Sequence, residues 1–109
     1  MIHPKTTLSK LTVTTPDGDT ITVDAFFVGN LAVVGVLDDN TWSVLHVPTQ
    51  RSVGNGFPDG DSALKYARYL VMNYGSRFVQ ITKPDDSLAV FDADDLRRIK
   101  LCRALLGGK

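Results

Sequence analysis

The chain has 109 residues, of which 43% are hydrophobic and 22% charged, a composition typical of one globular domain, residues 1–109, with a modest core. Twelve basic and twelve acidic side chains give zero net charge, which excludes the overall positive field that draws proteins to nucleic acid or anionic membranes. A single cysteine, Cys102, permits no internal disulfide and favours a reducing compartment, so we expect a cytoplasmic protein. The longest apolar run, residues 31–37, is too short to span a bilayer, and no membrane partner is expected.

The first half of the chain predicts antiparallel strands joined by tight turns. Residues 10–28 contain two β-branched runs on either side of Pro16–Asp19, where proline presets φ and glycine accepts a positive φ. Gly29–Asn30 is a second hairpin signal, residues 38–40 form a third turn, and a short fifth strand is expected after Pro48. The residues expected to share one face of the first two strands are Leu11, Val13, Ile21, Val23, Ala25 and Phe27.

A change of hydrophobic period from two to about 3.6 predicts a helix that begins near Asp61. Asp61 is its candidate N-cap and Gly75 its candidate C-terminal stop. Residues 77–91 then predict a second hairpin around a turn at 83–86. The apolar stripe of the helix is Ala63, Leu64, Ala67, Leu70, Val71 and Tyr74.

The C-terminal run 92–108 predicts a second helix, which Asp92 caps. Leu101 and Ala104 lie off its core-facing stripe, and this second apolar face predicts a homo-oligomer contact. The core-facing stripe is Leu96, Ile99, Cys102 and Leu105 or Leu106. The expected fold class is α+β: a mostly antiparallel sheet, a meander of four to six strands, packed with two α-helices.

Residue types that support catalysis are scarce. His3 lies near the N-terminus, and His46 alternates with apolar residues as a sheet-face histidine does. Cys102 lies on an apolar helix stripe, which is typical of a small core residue. The five aspartates between positions 85 and 95 follow a turn or cap a helix, where carboxylates are stabilising without a metal ion. We therefore expect no catalytic residue, no metal and no cofactor.

The candidate binding site is the run 54–62, GNGFPDGDS, which leads into the first helix. Its glycines let the backbone approach a ligand, Phe57 can stack a base, and the following helix N-terminus attracts phosphate. The opposing interpretation is a simple connection, because Asp59 and Asp61 are negative and Phe57 can staple the loop to the helix. The candidate ligand-binding residues are Arg51, Asn55, Gly56, Phe57, Asp61, Ser62 and Arg68.

A group of basic residues on the C-terminal helix is a secondary candidate. Arg97 and Arg98 belong to a run with Lys100 and Arg103 that has no acid between its members. The run is either a local anion-binding face or a solvated helix face that complements the macrodipole.

The order of these elements resembles that of the phage Thoeris anti-defence proteins, which sequester cyclic ADP-ribose signals. The shared features are a strand meander, a Gly-rich loop that enters a helix, and a C-terminal helix. The run 41–53, TWSVLHVPTQRSV, leading to SALKYARYL, is also similar to the strand, turn and helix of many short phage proteins. The resemblance implies a dimer or larger assembly that grips a cyclic nucleotide without cleaving it, through Asn55 and Phe57 with Arg51 alongside.

Three function classes follow from these observations. The first is a non-catalytic counter-defence protein that sequesters a small cyclic nucleotide immune signal. The second is a small inhibitor that binds a host defence protein, as anti-CRISPR proteins do. The third is a single-stranded nucleic-acid-binding module that uses Phe26 and Trp42, although few basic residues alternate with these aromatics.

Overall fold

The structure is a computed structural model, which describes residues 8–14, 17–36, 40–81 and 91–109. Within these ranges, a five-stranded antiparallel sheet is followed by two helices, which confirms the predicted α+β fold. The sheet has the order β1-β2-β3-β4-β5, a simple meander. The elements are β1 (Leu8–Thr14), β2 (Thr20–Val28), β3 (Leu31–Val36), β4 (Thr41–His46), β5 (Arg51–Phe57), α1 (Gly60–Gln80) and α2 (Ala93–Leu105).

The turns predicted from glycine and asparagine join the first four strands. Gly18 and Gly29, in the first two hairpins, have φ of +90° and +56°. Asn40 precedes β4 with φ of +56°. Positive φ costs little at glycine and is tolerated by asparagine, so these residues act as the sequence predicts. Residues 15–16 and 37–39 of the same turns lie outside the described residues.

The fifth strand is longer than predicted, because it includes half of the run expected to form a loop. β5 continues through Phe57, which pairs with Trp42 of β4. Two register shifts give β5 extra residues relative to β4. Bulges of this kind tolerate glycine inside a strand, and Gly56 has φ of +72°.

The main core lies between the sheet and the helices. Leu31, Val33 and Val44 are fully buried on the sheet face that α1 covers, where they pack with Tyr66 and Leu70 of the helix. Alternation along a strand places these side chains on one face and their neighbours on the other.

The opposite face of the sheet carries a second apolar cluster. Ala25, Ala32 and Val34 are buried there. The half-buried residues that pack against them are Leu11, Val23, Phe27, Leu45 and Val47. The predicted common face of β1 and β2 is thus confirmed for Leu11, Val23, Ala25 and Phe27, whereas Ile21 is 48% exposed.

The N-terminus of α1 is capped two residues earlier than predicted. The N-cap is Asp59, whose carboxylate accepts a hydrogen bond of 2.7 Å from the backbone N–H of Ser62. Asp61 instead lies in the first turn and pairs with Lys65 one turn later.

The C-terminus of α1 is also different from the prediction. The helix passes Gly75 and ends at Gln80, with non-helical φ/ψ of −135° and 15° at Tyr74. Phe78 and Ile81 continue the buried stripe at helical spacing, so burial outweighs the helix-weakening effect of glycine. The predicted strand at 77–80 is therefore wrong, and the rest of that hairpin, residues 82–90, lies outside the described residues.

The second helix begins where the sequence predicts. Asp92 accepts a hydrogen bond of 2.8 Å from the N–H of Asp95, whose side chain accepts one from the N–H of Asp92, and together they form a capping box. Ile99 is the buried residue of α2, and Leu106 just beyond it packs on the core. Leu105 is 77% exposed and does not belong to the core-facing stripe.

Both outer strands of the sheet are partly covered within the chain. Gln50, before β5, accepts a hydrogen bond from the N–H of Thr14 and donates one to the carbonyl of Thr12, which together form the outer edge of β1. The N–H of Lys109 donates to the carbonyl of Asn55 on β5 at 2.7 Å. These contacts occupy positions that another strand would otherwise use.

Candidate functional site

The aromatic ring expected to face solvent in the 54–62 run is buried. Phe57 is 0% exposed, and its ring centroid lies 5.1 Å from that of Tyr66. The pairing of Phe57 with Trp42 in the sheet directs it toward the helix-covered core. The expectation that Phe57 is available to stack a base is therefore wrong.

The glycines of this run approach the chain itself. A Cβ at Gly54 would lie 2.6 Å from Cε2 of Tyr66, and a Cβ at Gly56 would lie 3.1 Å from the side chain of Lys109. The carbonyl of Asn55 accepts the N–H of Lys109. Close backbone approach, the reason for expecting a ligand here, is explained by internal packing.

The helix N-terminus that was expected to bind phosphate holds a carboxylate of the protein. The hydrogen bond from the N–H of Ser62 lowers the pKa of Asp59, so this carboxylate is ionised at neutral pH. Asp61 adds a second negative charge beside it. This arrangement stabilises the helix and disfavours a second anion.

The predicted ligand-binding residues do not converge on one place. Arg51 lies at the start of β5 and Phe57 at its end, Asn55 is exposed between them, and Arg68 lies two turns into α1. Of this set, Arg51 lines a cavity between β5 and the two helices.

That cavity, of about 230 Å³, lies between the segment His46–Val53, the end of α1 and the helix α2. Its polar lining consists of His46, Thr49, Arg51, Ser52 and Arg103. Its apolar lining includes Phe78, Ile81, Phe91, Leu96 and Ile99. None of the described residues that line it is acidic.

His46 forms a fixed wall of the cavity. It is 2% exposed, and its Nε2 lies 3.1 Å from the carbonyl oxygen of Phe78 while its Nδ1 lies 2.9 Å from the hydroxyl of Thr49. A carbonyl can only accept, so Nε2 carries a proton, and in the neutral ring Nδ1 accepts from Thr49. The interpretation of His46 as a structural histidine on the sheet face agrees with this geometry.

Arg103 reaches the cavity from the last turn of α2. Its guanidinium lies 3.5 Å from the carbonyl of Val53, which also accepts a 2.6 Å hydrogen bond from the hydroxyl of Tyr66. Burial raises the pKa of Tyr66 to about 12 even though Arg103 opposes the shift. The phenol of Tyr66 therefore stays neutral at physiological pH.

Sequence reasoning missed this grouping for a physical reason. Arg51 was a candidate at the entrance of a loop, and Arg103 was one member of a helical basic run. The two belong to elements about 50 positions apart in the chain, and only the packing of α2 against β5 brings them to one cavity. No local sequence signal reports such a contact.

The other predicted arginines of α2 lie away from this cavity. Arg97 and Arg98 both pair with Asp94, the latter at 3.2 Å. Arg98 also lines a second depression, of about 380 Å³, which we call the α1–α2 groove. The remaining residues of this groove are Tyr69, Leu101, Cys102, Leu105 and Leu106.

The aromatic residues proposed for single-stranded nucleic acid are not on an open sheet surface. Phe26 and Trp42 pack against the main core on the helix-covered face. Trp42 also contacts the start of α1, since a Cβ at Gly60 would lie 3.3 Å from its ring. Both rings therefore lie between the sheet and the helices.

Across the described ranges, the structure holds no group of three or more side chains placed to bind a metal ion. Among the helices of that same part of the chain, none is both long and apolar enough to cross a membrane. Comparison of the chain with family models, with curated proteins and with solved structures finds no match in any of the three.

Proposed function

We propose that the protein binds a small anionic ligand, without altering it chemically, in the cavity between β5 and α2. One observation supports the proposal: Arg51 and Arg103 both line a cavity whose described lining residues include no acid and whose remaining wall is largely apolar. The proposed site lies at the N-terminal end of β5, whereas the sequence predicts a site at the C-terminal end.

The two arginines supply the attraction for an anion. A guanidinium stays protonated at all physiological pH values and forms charge-assisted, often bidentate hydrogen bonds with phosphate or carboxylate. The contact of Arg103 with the carbonyl of Val53 limits its motion, so less conformational entropy is lost on binding. The nearby hydroxyls of Thr49 and Ser52 form internal hydrogen bonds with His46 and with the carbonyl of Gly54.

The apolar wall supplies the second part of the recognition. Phe78 and Phe91 pack edge to face at 5.3 Å and form a rigid aromatic surface beside the charged groups. A volume of about 230 Å³ is smaller than the roughly 300–1,000 Å³ of typical small-molecule pockets, so the cavity suits a small anion or one end of a larger ligand.

A phosphorylated nucleotide signal is the ligand class that we place first. An anionic phosphate with an attached apolar ring matches the two halves of the cavity. The resemblance in element order to the Thoeris anti-defence proteins supports a counter-defence role in which such a signal is sequestered. The proposed contacts are now Arg51 and Arg103, in place of Asn55 and Phe57.

The first experiment is a thermal-shift titration with cyclic ADP-ribose, adenosine monophosphate, inorganic phosphate and unphosphorylated adenosine. Binding to the folded state stabilises it by about 2.7 kcal/mol when the ligand reaches a hundredfold excess over Kd. We expect the phosphorylated compounds to raise the Tm and adenosine to leave it unchanged. Mass spectrometry of the recovered ligand is expected to show it intact.

Matched arginine variants test the location. Arg51→Gln removes a cavity charge, and Arg97→Gln removes an exposed charge of α2 outside the cavity. We expect the first to abolish the shift and the second to preserve it. Equal responses of the two variants, a cleaved ligand, or no shift with any anion at millimolar concentration would contradict the proposal.

A further inference from the structure

The α1–α2 groove is a second surface, distinct from the cavity. Leu101 and Leu105 are 59% and 77% exposed and are neighbours at i and i+4 on α2. They flank a depression of about 380 Å³ that Tyr69 of α1 closes on its other side. Exposed apolar side chains gathered around a depression, with charged residues at its rim, are typical of a protein-interaction site.

The charge around the groove limits what can occupy it. From Leu96 to the end of α2 the helix carries Arg97, Arg98, Lys100 and Arg103 and no acidic residue. At helical spacing, Arg97 and Arg98 lie one turn before Leu101. Among the described residues, both guanidiniums pair with the single carboxylate of Asp94, so the α2 side of the rim keeps a positive charge.

This charge argues against a second copy of the chain as the occupant. An isologous contact places the same surface on both sides, and each copy would bring the basic run of α2 toward the other. A flat anionic membrane matches the charge but not the concave shape of the depression. A protruding apolar side chain with carboxylates beside it matches both.

We propose that the α1–α2 groove docks an acidic amphipathic segment of a partner protein. Leucine or aromatic side chains of that segment occupy the groove between Tyr69 and Leu105, and its carboxylates pair with Arg97 and Arg98. Docking of an apolar helix face into a groove is a common mode of peptide recognition, and pairing of the partner's carboxylates with the basic rim supplies the specificity.

The experiment uses three fluorescein-labelled synthetic helical peptides of equal length. The first has leucines at i, i+3, i+4 and i+7 with glutamates on its flanks, the second has lysines in place of the glutamates, and the third has serines in place of the leucines. Fluorescence anisotropy is expected to show binding of the first peptide only, weakening as salt is raised.

Variants of the protein locate the contact. Leu101→Ser is expected to weaken binding of the acidic peptide by about tenfold or more, whereas Ile21→Ser, an exposed apolar residue on the sheet, leaves it unchanged. Arg98→Glu is expected to reverse the preference toward the lysine peptide. Circular dichroism of each variant checks that the fold is retained.

Several outcomes would overturn the proposal. These are equal binding of the acidic and basic peptides, no binding at millimolar concentration, and equal losses in Leu101→Ser and Ile21→Ser. Sedimentation equilibrium that shows a dimer dissolved by Leu101→Ser would identify a second copy as the occupant. Binding to phosphatidylglycerol vesicles that Leu101→Ser abolishes, without peptide binding, would identify a membrane.

The test is independent of the cavity. Leu101 does not line the cavity, so Leu101→Ser is expected to retain the ligand-induced Tm shift that Arg51→Gln loses. Either proposal can therefore fail while the other stands.

Discussion

The two ends of β5 differ in how far the rest of the chain buries them, although they are only a few residues apart. At the C-terminal end, Phe57 is fully buried against Tyr66, and the terminal residues Gly108 and Lys109 pack over the strand. At the N-terminal end, Arg51 and Ser52 are exposed and line a cavity. The first end is part of the core, and the second lines the cavity that we propose as a ligand site.

Composition alone does not identify which end of a strand other elements cover. The glycine-rich end looks accessible in the sequence, but Gly54 lies against the rings of Tyr66 and Phe57, and Gly56 lies against the side chain of Lys109. The end without glycine lines a cavity, to which α2 contributes Arg103 together with Leu96 and Ile99. Whether an end of β5 is buried therefore depends on the residues that other parts of the chain place against it.

The largest effect on the free energy of unfolding is expected from removing the buried ring at the C-terminal end of β5. Phe57→Ala removes a fully buried aromatic ring and leaves a cavity, at an expected cost of about 3–5 kcal/mol in the free energy of unfolding. Urea denaturation measures this value. The control Leu105→Ala, at a side chain that is 77% exposed, is expected to change stability by less than about 0.5 kcal/mol. Similar costs for the two variants would mean that Phe57 is not a core residue.

Tyr66 contacts both Phe57 and the carbonyl of Val53 on β5. Its ionisation is expected to have the next largest effect on the free energy of unfolding. The fold raises its pKa from 10.0 to about 12, so the unfolded chain releases this proton first as the pH rises. The stabilisation is fully present below about pH 10 and is lost as the pH rises toward 12, with a loss of about 2–3 kcal/mol.

The variant Tyr66→Phe isolates this contribution. It loses the hydrogen bond to Val53, which costs about 1 kcal/mol at neutral pH, but it has no phenol to titrate. Its stability is expected to fall less steeply between pH 10 and 12 than that of the wild type, because the other titrating groups are common to both proteins. Parallel pH profiles would show that the phenol at position 66 is not responsible.

The sequence predicts the fold where local chemistry dominates. Gly18, Gly29 and Asn40 mark turns because positive φ is costly for other residues, and Asp92 marks a helix start because its carboxylate can accept a backbone N–H. These signals require only near neighbours along the chain. The strand meander and the second helix follow from them.

Prediction fails where distant packing outweighs local preference. Gly75 does not end α1, since Phe78 and Ile81 beyond it are buried in the core. The prediction of the candidate site is wrong for the same reason. Phe57 is buried because it packs against Tyr66 of α1, and Arg51 shares a cavity with Arg103 because α2 lies nearby. Periodicity reports which face of an element is apolar but not which element covers it.

The smallest of these effects is expected at Gly54, the boundary between the two ends of β5. A Cβ there would lie 2.6 Å from Cε2 of Tyr66 and 3.2 Å from Cε2 of Phe57, two buried rings that have little room to move. Gly54→Ala is therefore expected to cost about 1–3 kcal/mol through overpacking, as measured by urea denaturation.

Two controls separate overpacking at Gly54 from the intrinsic effect of replacing a glycine or changing β5. Gly75→Ala places a methyl group 3.8 Å from Val71 within α1, where alanine favours the helix, and is expected to stabilise the protein by up to about 1 kcal/mol. Ser52→Ala, two residues from Gly54 at the open end, loses one part-buried hydrogen bond and is expected to cost about 0.5–1 kcal/mol. A Gly54→Ala protein as stable as Ser52→Ala would mean that the aromatic rings yield, and that the sealed end of β5 is no more tightly packed than the open one.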